Sequence, residues 1–200
     1  MTVIPNPFDT MDQSRAEAFA ERVAGVLDAG AVAVMTSIGH RLGLFDAMAR
    51  LPAATSTEIA TATGLAERYV REWLAVMVMG EIAVYDPEAR TYRLPAEHAA
   101  CLTRGAPLGN LAVYAQHIAL MGTVQERVLR CFRTGEGTTY ADYPCFHCMM
   151  AEDSGQTVVE HLVERILPVV PGLIERLAQG IDHRPVARDG ERKSVSAETT

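Results

Sequence analysis

Basic charge is scarce in this sequence. Its 18 Lys and Arg face 25 Asp and Glu, giving a formal net charge of -7. Phosphate binding depends on clustered Lys and Arg, so a nucleic-acid role is disfavoured. Long apolar runs are also lacking: Ala29–Ile38 and Trp73–Met79 are each shorter than the roughly 20 residues that span a bilayer. The first residues, Met1–Phe8, have no basic segment leading into an apolar one, so no secretory signal is expected. A cytoplasmic protein without membrane contact is the resulting expectation. Cysteines number only four, Cys101, Cys131, Cys145 and Cys148. In a reducing compartment these favour thiol or metal chemistry, or plain burial, over a structural disulfide. Glycine-rich cofactor loops are missing too, since the lone Gly135-x-Gly137 pair is too weak to count as a phosphate cradle.

What is there suits a globular domain of ordinary size: 200 residues, 48% hydrophobic and 22% charged. After an extended arm over residues 1–9, Thr10 or Asp12 can cap a helix carrying Phe19, Val23, Val26 and Leu27 at helical spacing. The run Ala29–Ile38 is apolar on nearly every side and must be buried, in the core or against a second copy of the chain. His40 then reads as a hydrogen-bonded helix-end histidine before a short helix ending near Arg50.

The segment from Pro52 onward has a clear organisation. A Ser or Thr three residues before Glu58 is a capping-box signature, Gly64 ends the short helix, and a second helix runs from about Ala66 to Met79. Ile82–Tyr85 and Thr91–Leu94 alternate as strands around an Asp86–Arg90 turn. The fold class that follows is mainly α: a winged helix-turn-helix with a two-stranded wing, plus additional long helices. Its would-be recognition helix mixes Arg68 and Arg71 with Glu67 and Glu72, and its apolar residues demand burial, so DNA reading is not favoured. A long helix is expected from about Asn110 to Phe132, another from about Gly155 to Leu167, and a last one from about Gly172 to Ala178. Residues 10–180 thus form the helical domain. Residues 181–200, almost without apolar content, read as a flexible tail.

The chemistry concentrates between Tyr140 and Ser154. Cys145, His147, Cys148, Met149 and Met150 set soft donors side by side, and Glu152 and Asp153 follow. A Cys-x-x-Cys pair with an intervening His offers thiolate and imidazole to a soft metal or metalloid such as copper, zinc, mercury or arsenic. The candidate ligands are Cys101, Cys145, Cys148, His147 and His98, with His98 and Cys101 three apart on one helix face. If the site is catalytic, Cys145 and Cys148 hold the metal or attack a substrate while Asp153, or its neighbour Glu152, shuttles a proton. Such parts suit a thiolate- or metal-dependent lyase, or a biosynthetic enzyme acting on a small molecule. The candidate substrate cavity is lined by Tyr114, His117, Met121, Tyr140, Tyr143 and Phe146.

Several blocks, Ala31–Asp46, Gly64–Leu74, Ala151–Thr157 and Leu173–Asp182, resemble actinobacterial S-adenosylmethionine-dependent methyltransferases with an N-terminal winged-helix domain. The resemblance runs from about residue 8 to residue 182. It implies a region that dimerises and helps to cover a substrate, ahead of a Rossmann-like domain that transfers the methyl group. After Gly180–Ile181–Asp182 the sequence departs from that pattern, so neither S-adenosylmethionine binding nor methyl transfer is expected of it. The family pattern also places an aromatic, an Arg and a Glu where Cys101, Cys145 and Cys148 stand. The leading expectation is therefore a homodimeric methyltransferase-like protein turned to soft-metal or thiol chemistry. A metal-free dimerisation or ligand-binding module is the alternative, and a transcriptional regulator the least favoured.

Overall fold

A computed structural model describes residues 11–180; the expected arm over residues 1–9 and tail over residues 181–200 lie outside the described residues. The chain divides into two units, one ending at Gln156 and one beginning at Thr157.

The first unit opens with α1 (Gln13–Arg41), a single 29-residue helix. The Asp12 side chain caps it by accepting from the Arg15 N–H. By length and composition this helix is long and apolar enough to cross a membrane, a property missed when the run Ala29–Ile38 is considered alone. Its C-terminal end nevertheless belongs to a protein core: Thr36, Ser37, Gly39 and His40 are buried, and the helix packs on α4 (Glu67–Met79) and α6 (Ala112–Thr134). Its first half exposes Phe19, Val23, Val26 and Leu27.

The winged helix follows in the expected order. α2 (Leu44–Arg50) leads to α3 (Ser56–Thr63), whose N-cap Thr55 and Glu58 form a complete capping box. Gly64 takes φ 69°, a left-handed turn natural to glycine, and lets the chain reverse into α4. α4 turns Val70, Trp73, Leu74 and Met77 inward and leaves Arg68, Tyr69, Arg71 and Glu72 at the surface. β1 (Val84–Asp86) and β2 (Thr91–Arg93) form the antiparallel wing with Tyr85 opposite Tyr92. Ala54 extends it by exchanging backbone hydrogen bonds with Tyr92 at 3.0 and 2.7 Å.

The core of this unit gathers Leu44, Phe45, Met48, Ile59, Val70, Trp73, Leu74 and Met77. Each such side chain stabilises the fold by about 1.5–3 kcal/mol through burial. Phe45 meets Trp73 edge-on, with ring centroids 5.2 Å apart. The Trp73 indole N–H donates to the Met35 carbonyl at 2.8 Å, tying α4 to α1.

α5 (Ala96–Leu102) crosses to α6, and a 3-10 turn at Tyr140–Asp142 leads into α7 (Phe146–Ser154). The helix expected from about Gly155 to Leu167 is not a regular α-helix. Helicity begins earlier, at Phe146, and the later stretch is broken into π-helical turns at Gly155–Val159 and Leu162–Ile166. In the second unit, the Leu162–Ile166 turn passes through a 3-10 turn at Leu167–Val169 to α8 (Leu173–Ala178), close to its expected place. Pro168 sits at the start of the 3-10 turn, where a missing N–H costs little.

Candidate functional site

The end of α1, the α5–α6 connection and α7 meet around His40, which is 1% exposed. Its Nε2 lies 2.8 Å from Glu152 Oε1 and its Nδ1 lies 3.3 Å from the Asn110 side-chain nitrogen. Asn110 Oδ1 accepts from the Ala112 N–H, which turns the amide nitrogen of Asn110 toward His40. Asn110 therefore donates to Nδ1, and the Nε2–H tautomer donates to Glu152. Glu152 Oε2 accepts from Gln116 at 3.0 Å. Arg104 closes the cluster by donating to the His40 carbonyl at 2.9 Å and pairing with Asp46, while its Nε stands 3.9 Å from Glu152. Gln156 exchanges hydrogen bonds with the Asn110 backbone at 2.9 and 3.3 Å. Few polar groups in this cluster lack a partner, as low-dielectric burial demands.

A cavity of about 500 Å³ opens beside the network. Ser37 and Arg41 of α1, Gln116, Leu120 and Thr123 of α6, and Pro144, Cys145, Cys148, Met149 and Glu152 line it. Cys145 is the N-cap of α7, in the left-handed region at φ 58°, and Cys148 lies one turn on. Both are exposed free thiols. The cavity thus presents two thiols, a carboxylate with one oxygen committed to His40 and the other to Gln116, and a guanidinium.

The other expected ligands go elsewhere. Cys101 sits half-buried on α5, and His98 on the same helix places its Nδ1 2.8 Å from the Ile82 carbonyl. His147 stacks on Tyr140 at 6.0 Å between ring centroids and does not line the thiol cavity. Among the described residues, no three His, Cys, Asp or Glu side chains gather in a manner that could hold a metal ion. The five-residue ligand set is therefore not assembled: Cys101 and His98 lie on α5, the other three at α7, and His98 and His147 have other contacts. Asp153 is not among the cavity-lining side chains either. It hydrogen-bonds the Tyr114 hydroxyl and, with burial and its own charge, holds that phenol above its ordinary 10.0. Glu152 is the carboxylate that shares the cavity with the thiols.

The six-residue substrate cavity also divides. Tyr140, Tyr143 and Phe146 line a shallow aromatic pocket of about 360 Å³ with Thr138 and Thr139. Tyr114 belongs instead to an apolar groove of about 630 Å³, formed by Ala29, Val32 and Ala33 of α1, the end of α4, Leu111 just ahead of α6, and Ala115 and Ile118 of α6. His117 stacks loosely on Tyr114 at 6.4 Å, and Met121 lies half-exposed on α6. Sequence reasoning missed Ser37, Arg41, Arg104, Asn110 and Gln116. Arg104, Asn110 and Gln116 matter through partners distant in sequence, Ser37 and Arg41 through lining the cavity, and only the helical register of Gln116 with the α6 core hinted at one.

Comparison with known proteins bears on this arrangement. No curated protein matches the sequence. Human N-acetylserotonin methyltransferase, solved in complex with SAM, is similar in structure with a TM-score of 0.52 and 13% identity, over 74% of this chain and 44% of its own. The N,N-8-amino-8-demethyl-D-riboflavin dimethyltransferase RosA from Streptomyces davawensis gives 0.51 and 19%, over 71% and 45%. The mitomycin 7-O-methyltransferase MmcR gives 0.50 and 19%, over 84% and 45%. At such identities the likeness is one of fold, and this chain spans under half the length of each solved relative. The family description that matches covers α2 to α5 and the end of α1: residues 30–104 are similar to the Rv2258c-like winged helix-turn-helix domain.

Proposed function

We propose that this chain acts as the pairing and capping module of a methyltransferase-type protein, joining a second copy through α1 and α6 and enclosing part of a small organic molecule. The observation that carries this reading is the apolar surface left open on those two helices. Phe19, Val26 and Leu27 of α1 are 58%, 67% and 68% exposed, and Ile118 of α6 is 48% exposed. Phe19, Val26 and Leu27 recur at i, i+7 and i+8 and so share one helix face, and an apolar face left open marks an interaction surface. The groove of about 630 Å³ runs between the same helices. A chain that keeps Phe19, Val26 and Leu27 in water loses the burial free energy that an isologous partner would supply. We place the protein in the cytoplasm, without nucleic acid as a partner. Light scattering after size exclusion tests the pairing: a dimer over the micromolar range supports it, and a monomer throughout refutes it.

A second reading is favoured by one observation, that Cys145 and Cys148 line a single cavity with Glu152. In it, two thiolates take a soft ion such as copper, zinc, mercury or arsenic, and Glu152 rather than Asp153 supplies or accepts a proton if chemistry follows. Titration of the reduced protein with each ion, repeated on Cys145→Ser and Cys148→Ser, tests it. Unchanged stoichiometry in both variants would end this reading and leave the first intact.

A further inference from the structure

We propose that Cys145 and Cys148 form a dithiol–disulfide couple that exchanges with small-molecule disulfides at the mouth of the α1–α6–α7 cavity. This goes beyond both functional readings and depends on neither, since it needs no metal and no partner chain.

Three observations carry it. The first is reach. The Cys148 and Met149 N–H groups both donate to the Cys145 carbonyl, at 3.1 and 3.2 Å, so the two cysteines close one helical turn. Side chains three apart on a helix stand about 5–6 Å from each other at Cβ. A disulfide needs its Cβ atoms about 3.5–4.5 Å apart, and Cys145 is the left-handed N-cap just outside the regular helix, so closing the bond takes a shift of about 1–2 Å in this first turn. The second is access: both thiols are exposed, whereas Cys101 and Cys131 are partly covered and sit on different helices. The third is a place for the reagent, because both thiols border a cavity of about 500 Å³ that also presents Arg41, Gln116 and Glu152.

The exchange balances as follows. A thiolate of the pair attacks one sulfur of a small disulfide RSSR, the RS–SR bond breaks, and RS⁻ leaves and takes up a proton. The second protein thiolate then attacks the protein-bound sulfur of the mixed disulfide and expels a second RS⁻, which is protonated in turn. The protein sulfurs lose two electrons, the small disulfide gains them, and two RSH are released. A neighbouring resolving thiol makes the mixed disulfide short-lived. In a reducing compartment such a bond is transient, as exposed pairs are.

The test exposes reduced, chelator-treated full-length protein to glutathione disulfide, then alkylates and maps every cysteine by mass spectrometry. The expected result is a chain lighter by two hydrogens, with labelling lost at residues 145 and 148 and kept at 101 and 131. Dithiothreitol restores it. Cys145→Ser and Cys148→Ser should each stop at a stable glutathione adduct on the remaining thiol. Four thiols that stay free, a wild-type protein that halts at the mixed disulfide, or a bond to Cys101, Cys131 or another chain would each overturn the proposal. Metal binding fails or succeeds independently, because chelator is present throughout.

Discussion

Glu152 does at one residue what the surrounding network needs done twice. It accepts from His40 with one oxygen and from Gln116 with the other. Glu152→Ala strips the acceptor from two buried donors, so urea unfolding followed by circular dichroism should show a loss of about 1–3 kcal/mol. Glu152→Gln, which keeps one acceptor, should recover part of it. Gly39 makes a second point about single residues. A Cβ built there would come within 2.5–2.9 Å of three atoms of the Trp73 indole, a ring that is buried and hydrogen-bonded and has nowhere to swing. Gly39→Ala should therefore destabilise the fold by about 1–3 kcal/mol through overpacking, although alanine is the better helix former. None of this was legible in the sequence. His40 was expected to be hydrogen-bonded and is, but its partner stands 112 positions away. The Cys145–Cys148 pairing was legible, being local, while the remote members of the expected ligand set were not.

At the scale of elements, local signals served well where the chain's own neighbours decide conformation. The capping box of α3, the Gly64 turn, the wing and the N-cap Asp12 all follow from residues within a few positions of each other. The Thr55–Glu58 box makes a pH prediction. Hydrogen bonds from the Thr55 backbone and hydroxyl hold the Glu58 carboxyl below its ordinary 4.5. The folded state then binds fewer protons than the unfolded one, so the stabilisation is complete above that value and is lost as pH falls through the lowered folded value. Thr55→Ala should flatten this acid limb, read as a smaller drop in melting temperature between neutral and acid pH than in the parent. Glu58 is solvent-exposed, so the effect is small and weakens with salt. α7 was missed because Phe146–Ser154 is short and its cysteines, histidine and methionines drew a chemical reading over a helical one. Where a helix was expected, the β-branched Thr157, Val158 and Val159 follow Gly155, and the backbone takes π-helical turns there. In the first half of α1, Val26 and Leu27 keep the helical spacing read from the sequence and stand exposed. Because both are exposed in the single chain, Val26→Glu with Leu27→Glu should leave helicity unchanged in circular dichroism, yet convert a dimer to a monomer in light scattering and remove the stability the partner adds.

For the whole molecule, mainly-α architecture and the winged helix were readable because periodicity, turn residues and capping agreed with one another. Where the apolar groove and the thiol cavity open was not, for both depend on how α1 and α6 cross, whereas the aromatic pocket is built from residues 138–146 alone. Charge decides one further property. The exposed face of α4 pairs Arg71 with Glu67 at 3.4 Å and sets Glu72 beside Arg68, within a chain of net charge -7. With no free basic stripe on α4, the winged helix should leave duplex DNA unretarded in a gel-shift assay even at low salt, where phosphate contacts are strongest. Retardation that fades steeply with added salt would instead favour a regulator.

The one tryptophan of this chain lies at the α1–α4 junction, its indole shut away from water and its N–H held by a carbonyl of the opposite helix. Such a ring emits at short wavelength, so the molecule carries its own optical gauge of that seam. Prying α1 from the winged helix, whether by heat, by a partner or by a ligand, will register as a red shift without any label being attached.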